Sequence, residues 1–481
     1  MKSLIKFILS VLFLSIVSCT DYVEGINEDP DLLTDSNAEN IFQGALLANQ
    51  FFHTSNTTRD VMIWLNMANG ENRQYVALND WNNSTATQFD DPWNIAYNTL
   101  SQSRIIQQKT ELVKNYQFKG AAQVIEAHII GTTTSLWGDV PYSEFKADGS
   151  NLTPVFDNQS NVYTALQSLL NEAIVNLEKS GSIPSDKDIY YGGDTNSWIK
   201  LAHSLKARYY LHIKNYAMAK SEALLGMDSP SDDFKAQFGT TYGLNFNPFY
   251  SFLVYDRDDY MSGDGYAPRI LDPSSTLYRG NSKTDESARF LFNYSNFEVY
   301  FSPYELNFLC DFDWGFPNGR FGGDSPMPLV TYGEMLLIIA EADARISGVS
   351  SGVNAYNNYR TLLNTGYSIG IDNSGYIGET ISYLPYEDSD FSAGGMENLD
   401  NITPVDALLR EIYQERYIYF IGNYEAFTDF RRTNNLAQIQ LKSGFSGSAQ
   451  RFIYPQVEIN SNGANVPSPL PKIIDKTPIH Q

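Results

Sequence analysis

The sequence is poor in basic residues and in cysteine. It has 33 lysines and arginines against 56 aspartates and glutamates, a formal net charge of −23, and only two cysteines, Cys19 and Cys310. A chain this acidic repels nucleic-acid phosphates and anionic lipid headgroups, so it is not expected to bind nucleic acid or to attach to a membrane through a basic patch. The scarcity of cysteine also excludes a cysteine-based metal site.

The short motifs of common enzyme classes are absent as well. The sequence contains no H-E-x-x-H, no G-x-S-x-G and no phosphate-binding P-loop motif. His128, His203 and His212 lie on apolar helical stripes, which favours structural histidines over metal ligands. Paired carboxylates for glycoside hydrolysis stay open as an alternative, because 56 acidic residues offer many pairs. The sequence therefore predicts no cofactor, no metal and no catalytic residue.

No apolar run reaches the roughly 20 residues that a membrane-spanning helix needs. The run from Phe7 to Val17 is almost wholly apolar, follows Lys2 and Lys6, and ends at small residues. A basic start, a short apolar stretch and a small-residue boundary are typical of a secretory signal peptide. We expect an exported protein without a transmembrane helix.

The residues at that boundary predict a lipid anchor. Ile16-Val17-Ser18-Cys19 resembles a bacterial lipobox, and the resemblance implies cleavage after residue 18 and acylation (palmitate among the chains) of Cys19. Several chains on one cysteine hold firmly, because each buried methylene contributes ~0.8 kcal/mol. Residues 19–36 would form a lipidated tether, the net charge would become −25 through loss of two lysines, and Cys310 would have no disulfide partner. The alternative is an ordinary signal peptide with an incidental cysteine.

Aromatic residues are abundant, with 32 tyrosines, 28 phenylalanines and 6 tryptophans. Together with few basic residues, this composition suits an extracellular protein that binds uncharged polar ligands through flat rings and amides. The alternative is that many of these rings pack the core.

Apolar stripes with spacings of three and four residues predict a mainly α-helical fold. They occupy residues 121–129, 162–177, 198–212, 335–340 and 408–420, and the third is expected to be capped by Thr195 or Asn196. Helices joined by short turns pack most simply in antiparallel pairs, as in a TPR-like helical repeat. Residues 226–324 and 366–404 lack this period and predict long loop-rich insertions. Since no linker separates them, we expect a single domain over residues 37–481.

Four longer segments identify a family. They are LWGDVPYSEF at 136–145, TYGEMLLIIAEADAR at 331–345, ERYIYFIGNYEAFTDFRRT at 415–433 and RFIYPQVEINSN at 451–462. With the lipobox, their order resembles the SusD/RagB family of surface nutrient-binding lipoproteins, in its SusD-like branch. The resemblance implies a helical-repeat fold and a non-enzymatic protein. It also implies an outer-membrane, surface-exposed location and a SusC-type TonB-dependent transporter as partner.

These shared segments are expected to be scaffold. Trp137, Pro141 and Tyr142 would fix a helix end, and Arg345 would pair with Glu341 one helical turn away. Arg431 and Arg432 would hold buried carboxylates.

The first candidate ligand site is the polar loop 66–81. Asn69 and Arg73 offer hydrogen-bond donors for sugar hydroxyls, and Tyr75 or Trp81 could stack on the apolar face of a pyranose.

The second candidate is the glycine-rich loop 311–323, with Trp314, Phe316 and Arg320. Its rings cannot form a helical stripe, so we expect them to be exposed. For Trp81 and Trp314, plugging of the scaffold is the equal alternative to ligand binding.

The resemblance favours an oligosaccharide as ligand. The alternatives are a peptide ligand in the same family, a surface glycoside hydrolase lipoprotein, and a mainly structural subunit of the transporter complex.

Overall fold

The computed structural model describes residues 36–295, 302–369, 376–444 and 447–481. The predicted signal peptide, Cys19 and nearly all of the predicted tether lie outside the described residues.

The described chain is dominated by α-helices, as the apolar stripes predict. The longer helices are α1 (Ala38–Thr54), α2 (Asn56–Trp64), α4 (Asp90–Leu112), α5 (Tyr116–Trp137), α6 (Gln159–Leu177), α7 (Thr195–His212), α8 (Tyr216–Ala223), α13 (Tyr332–Ser347), α14 (Val349–Leu363), α16 (Pro404–Tyr419) and α17 (Glu425–Arg432). The shorter helices are α3 (Gln74–Leu78), α9 (Pro248–Tyr250), α10 (Tyr266–Leu271), α11 (Ser287–Asn293), α12 (Asp311–Trp314), α15 (Asp388–Phe391) and α18 (Gln456–Ser461). Helices α4 to α8 pack successively against their chain neighbours, and α13 packs on α14, which gives the predicted antiparallel pairs.

Two helix pairs are joined by the same turn. The sequence Lys-Asn-Tyr links α4 to α5 at residues 114–116 and α7 to α8 at residues 214–216. In both turns the lysine adopts a positive φ, 57° and 60°, and ends one helix. The following asparagine accepts a hydrogen bond from the backbone N–H three residues on and so caps the next helix. This recurrence supports a degenerate helical repeat.

The N-cap of α7 differs from the prediction by one residue. Asp194 caps the helix, because its carboxylate accepts hydrogen bonds from the backbone N–H and hydroxyl of Ser197 at 2.9 and 2.6 Å. Thr195 is the first helical residue.

Short antiparallel two-stranded ladders connect distant loops. They pair β1 (Asn69–Gly70) with β5 (Met261–Ser262), β2 (Val140–Pro141) with β3 (Phe156–Asp157), β4 (Phe234–Ala236) with β9 (Met327–Val330), β6 (Thr284–Asp285) with β10 (Ser382–Tyr383), and β7 (Tyr294–Ser295) with β8 (Glu305–Leu306). Nine of these ten strands lie between residues 69 and 330, where they fasten the loop-rich segments to the helices.

One continuous apolar core contains buried residues from α1 to the segment after α18, from Phe42 to Ile473. Trp137 is fully buried in it and donates its indole N–H to the carbonyl of Ile453 at 2.9 Å. Tyr142 donates to Glu126 at 3.0 Å. Both side chains act as scaffold, in agreement with the sequence.

A buried network of charges joins α13, α16 and α17. Arg432 binds both oxygens of Glu341 at 2.7 Å and also donates to Asp429, while Arg416 holds the other side of Asp429 at 2.6 Å. Burial alone would raise the pKa of Glu341, but Arg432, with smaller contributions from Arg416 and Arg345, outweighs it and lowers that pKa to about 2. Arg345 is a secondary partner of Glu341, at 3.5 Å.

Arg431 does not hold a carboxylate, contrary to the prediction. Its guanidinium donates to the carbonyls of Phe427, Ser135 and Gln450 and to the hydroxyls of Ser135 and Thr428. Burial lowers the pKa of Arg431 to about 9. Its structural role is to join α17 to the end of α5.

The histidines on the helical stripes are bonded to other side chains; His128 and His212 are buried and His203 is partly buried. His212 contacts Tyr163 and Glu425 at 2.9 Å, and His203 contacts Glu222 at 2.7 Å. His128 contacts Asn49 at 3.0 Å. Across residues 36–481, apart from the three undescribed stretches, no three or more His, Cys, Asp or Glu side chains are grouped to hold a metal ion.

No helix among the described residues combines the length and apolar character that a bilayer crossing requires.

Candidate ligand-binding site

A groove of about 1220 Å³ lies between the first two helices and two loops. Its walls come from α1 and α2 on one side, from residues 74–91 on a second and from residues 237–257 on a third. A volume of this order exceeds that of a typical small-molecule pocket and suits an extended ligand.

Arg59, on α2, forms part of one wall. It is nearly fully buried, and its guanidinium lies 4.1 Å from the centre of the Phe252 ring. Its Nε donates to the hydroxyl of Tyr75 at 3.2 Å, and its Nη2 donates to Asn56. The cation is thus fixed by a ring and two polar side chains.

Asp60, the next residue, presents a carboxylate to the same groove. It is 3% exposed and accepts a hydrogen bond from the Gln88 side chain at 2.7 Å. Burial raises the pKa of Asp60 to about 6, against the smaller opposing effects of Gln88 and Arg59. A buried carboxylate with a raised pKa is more common at functional sites than in scaffolds.

Polar and apolar groups alternate around the opening. Exposed polar side chains on the second wall include Gln74, Asn83, Thr85 and Thr87. Phe51, from α1, is half exposed and lines the groove opposite them. Such a surface can bond hydroxyl groups while covering apolar faces between them.

Beyond the buried ring of Phe246 the groove continues into an exposed aromatic surface, which consists of Tyr242, Tyr255, Phe312 and Trp314. Phe246 lines the groove, and its ring centre lies 6.0, 5.9 and 5.5 Å from those of Tyr242, Tyr255 and Phe312. Tyr242 and Tyr255 lie 4.4 Å apart. Trp314, 47% exposed, follows Phe312 on α12 and contacts Phe308 at 6.3 Å. Adjacent exposed rings on a soluble protein are an unusual feature that indicates a contact surface.

Carboxylates fix the tyrosine rings of this surface. Tyr255 donates its hydroxyl to Asp313 at 3.2 Å, and Tyr242 donates to Asp256 at 3.3 Å. Gly315 takes a left-handed conformation, φ 65°, that ends α12 immediately after Trp314. A residue with a Cβ would be strained there, so the glycine helps to set the position of the tryptophan.

The predicted ring residues lie in three different environments: the groove wall, the exposed surface and the core. Tyr75 lies in the groove wall on α3, which approaches β1 closely at Gly70, where a Cβ would lie 1.8 Å from the Tyr75 carbonyl oxygen. Trp314 and Phe316 are exposed, as predicted. Trp81 is only 6% exposed and belongs to the core, which favours the plugging alternative for this residue.

The three polar candidates lie apart from the groove. Asn69 pairs in β1, binds Glu71 and Lys442, and lines a separate shallow cleft. Arg73 is exposed with a positive φ of 49°. Arg320 is buried and faces a different cavity.

Several groove residues were missed by sequence reasoning. They are Arg59, Asp60, Gln88, Phe246 and Phe252, with Tyr242 and Tyr255 on the aromatic surface. The local signal was Arg59-Asp60, a charged pair directly before the apolar end of NTTRDVMIW.

The fold is a helical-repeat scaffold with a large groove between its first two helices and two long loops. A model of the family described as SusD-like, starch-binding and associating with the outer membrane, matches residues 33–455. The chain belongs to the SusD/RagB family. No curated protein matches it.

Solved structures share the fold. A SusD/RagB family protein from Bacteroides thetaiotaomicron is 21% identical with a TM-score of 0.64, and the match covers 89% of this chain and 95% of that protein. A SusD homologue from Bacteroides uniformis is 20% identical with a TM-score of 0.65, over 93% and 100% of the two chains. A chitin-binding SusD homologue from Flavobacterium johnsoniae is 17% identical with a TM-score of 0.62, over 88% and 94%.

Proposed function

We propose that the protein binds an oligosaccharide at the cell surface and delivers it to a SusC-type TonB-dependent transporter in the outer membrane. The observation that carries this proposal is the continuity of the large groove with the exposed aromatic surface through Phe246. Sugar rings present apolar C–H faces and polar edges, and this combination of flat rings with amides and hydroxyls meets both.

The charge around the aromatic surface favours a neutral glycan. Asp256 and Asp313 contact the tyrosines of this surface, and Asp311 lies exposed on α12, the short helix that also carries Asp313. Acidic sugars would be repelled by these carboxylates, whereas neutral hydroxyls can donate to them. Starch and chitin oligosaccharides are therefore the first probes, since the family is described as starch-binding and one protein of similar structure is described as chitin-binding.

Removing one ring of the aromatic surface should weaken glycan binding. We expect Trp314→Ala and Tyr255→Ala each to raise the Kd of the best oligosaccharide by about fivefold or more, because truncating an anchoring ring costs more than ~1 kcal/mol. The measurement is isothermal calorimetry against maltooligosaccharides and chitooligosaccharides, with melting temperatures recorded in parallel.

The matched control is Leu112→Ala, which shortens an exposed apolar side chain at the end of α4. Unchanged affinity in both ring variants, with binding intact in the wild type, would remove the aromatic surface from the site. Binding of peptides in place of all glycans would favour the peptide alternative. Release of reducing sugar by the purified protein would favour a hydrolase.

The membrane anchor and the transporter are tested together. Wild-type protein should enter the membrane fraction and be recovered with a large β-barrel protein after mild detergent extraction. Cys19→Ala should block acylation and release the protein into the soluble fraction, because no other lipid attachment is proposed. Retention of the Cys19→Ala variant after a high-salt wash would refute the anchor, and consistent recovery of wild type without a barrel partner would refute the stable complex.

A further inference from the structure

A second cavity, of about 200 Å³, is lined in part by residues 318–326, which follow α12. Strands β4 and β9, helix α11 and the end of α16 form its walls, and the exposed Pro326 stands at its rim. It shares no lining residue with the groove. Its volume is several times the ~30 Å³ that one water occupies in the liquid, so it has room for a small organic molecule.

Arg320 contributes a buried and under-bonded cation to this cavity. It is 9% exposed, and of its five N–H donors only one makes a hydrogen bond within the described chain, from Nη2 to the carbonyl of Tyr419 at 3.2 Å. Its Nε is buried without a partner. Arg431, which also lacks a carboxylate, satisfies its donors with three carbonyls and two hydroxyls, so the contrast is specific to Arg320.

Among the described residues, the charged side chains that line the cavity do not neutralise Arg320. Asp233 is the carboxylate that lines the cavity, and it is already engaged by Lys235 at 3.4 Å, by the backbone N–H of Tyr332 and by the hydroxyl of Tyr367, both at 2.8 Å. Arg289, a further cation in the wall, is paired with Glu286 and Glu415. Burial lowers the pKa of Arg320, and the nearby Arg289 acts in the same direction. A buried charge without a counter-ion is costly to maintain.

Apolar side chains form part of the wall, namely Phe292, Pro328, Ile369 and Ile418, and they alternate with polar ones such as Asn293, Asn318 and Thr331. The Phe292 ring lies 5.6 Å from the Arg320 guanidinium carbon. Since Lys235 and Arg289 are paired with carboxylates, Arg320 beside Phe292 and Ile369 matches a ligand with a single anionic group and a short hydrocarbon body.

We propose that this cavity binds a small organic carboxylate, whose anionic group pairs with Arg320 and whose hydrocarbon part contacts Phe292 and Ile369. Asn293, in the same wall, has an unpaired buried Oδ1, which a water or a hydroxyl of the ligand can satisfy. This site is separate from the glycan site and does not depend on it.

The test is a thermal titration of the purified protein with sodium propionate at ionic strength held constant by sodium chloride. We expect a saturable rise of the melting temperature of about 2 °C in wild type and none in Arg320→Gln, because ligand binding to the folded state stabilises it by mass action. Arg73→Gln, which removes an exposed arginine, is the matched control and should respond as wild type does. Absence of a propionate-specific shift in wild type, or an equal shift in Arg320→Gln, would overturn the proposal.

Sodium phosphate provides a second arm. A shift with phosphate equal to that with propionate would overturn the assignment to an organic carboxylate. If Arg320→Gln is not recovered folded, a crystal structure of the wild type grown in propionate decides the question. Density for the carboxylate against Arg320 supports the site, and an empty cavity at saturating propionate refutes it.

Discussion

Replacing Trp81 by alanine is expected to lower the free energy of unfolding by about 3–5 kcal/mol. The side chain is 6% exposed within the main core, and its ring lies near Gly447, in the segment that follows α17. Truncation would leave a cavity that the short 3₁₀ turn at Trp81–Asn83 cannot fill, since Asp80 fixes that turn by accepting a hydrogen bond from the backbone N–H of Asn82. Chemical denaturation monitored by circular dichroism measures the loss.

Trp314→Ala is the matched control, because it makes the same substitution at a side chain that is 47% exposed. It should leave the free energy of unfolding within about 0.5 kcal/mol of wild type. The pair therefore separates structural from binding tryptophans. Equal destabilisation by both substitutions, or a stable Trp81→Ala protein, would contradict the burial seen here.

These two tryptophans show how far local sequence predicts the site. Both lie in polar or glycine-rich loops, and both were assigned the same two alternatives. Trp81 is buried because other parts of the chain, including the segment at Gly447, approach it, and nothing within residues 66–81 encodes that approach. Whether a loop side chain is exposed depends on residues that are distant in the sequence, so local sequence could not distinguish Trp81 from Trp314.

The helical scaffold was more predictable than the site. A helix that buries one face repeats its apolar residues every three or four positions, and that period is visible without tertiary information. The stripe at 162–177 accordingly coincides with α6, and the stripe at 198–212 lies in α7. Arg431 and Arg432 mark the limit of this reasoning. They are neighbours in sequence, yet one binds carbonyls and the other a carboxylate, because a helix turns adjacent residues toward different partners.

The groove residues were not predicted either, because they come from segments that are distant in the sequence. Arg59 and Phe252 meet across almost two hundred residues of chain, and Phe246 joins the groove to rings from residues 242–255 and from α12. Each segment alone looks like ordinary helix or loop. The proposed site arises from the juxtaposition of these segments, which hydrophobic periodicity does not predict.

Asp60→Asn is expected to stabilise the protein at neutral pH by up to about 3 kcal/mol. Burial raises the pKa of Asp60 from 3.8 to about 6. Between these two pH values the Asp60 carboxyl is still protonated in the folded state but has lost its proton in the unfolded chain. The wild type should therefore lose stability as pH rises from about 4 to about 6, and the loss should be complete above that range. An amide in place of the carboxylate carries no such cost and can still accept the hydrogen bond from Gln88.

The measurement is the difference in unfolding free energy between variant and wild type from pH 4 to pH 8. This difference isolates Asp60, because other groups with raised pKa values, such as Glu305 and Glu397, are present in both proteins and cancel. Asp186→Asn, which removes the same charge from an exposed position, should show no comparable gain. The gain for Asp60→Asn should shrink as pH falls below 6, and a constant difference across the range would exclude a raised pKa.

The same substitution should act in the opposite direction on binding. A carboxylate that is retained in a groove despite its cost in stability is expected to contribute to function there. If a sugar hydroxyl donates to Asp60, the Asn variant should bind the glycan more weakly while melting at a higher temperature. Stabilisation with unchanged affinity would show that Asp60 lies in the groove wall without contacting the ligand, and a less stable variant would show that the buried carboxylate is needed by the fold itself.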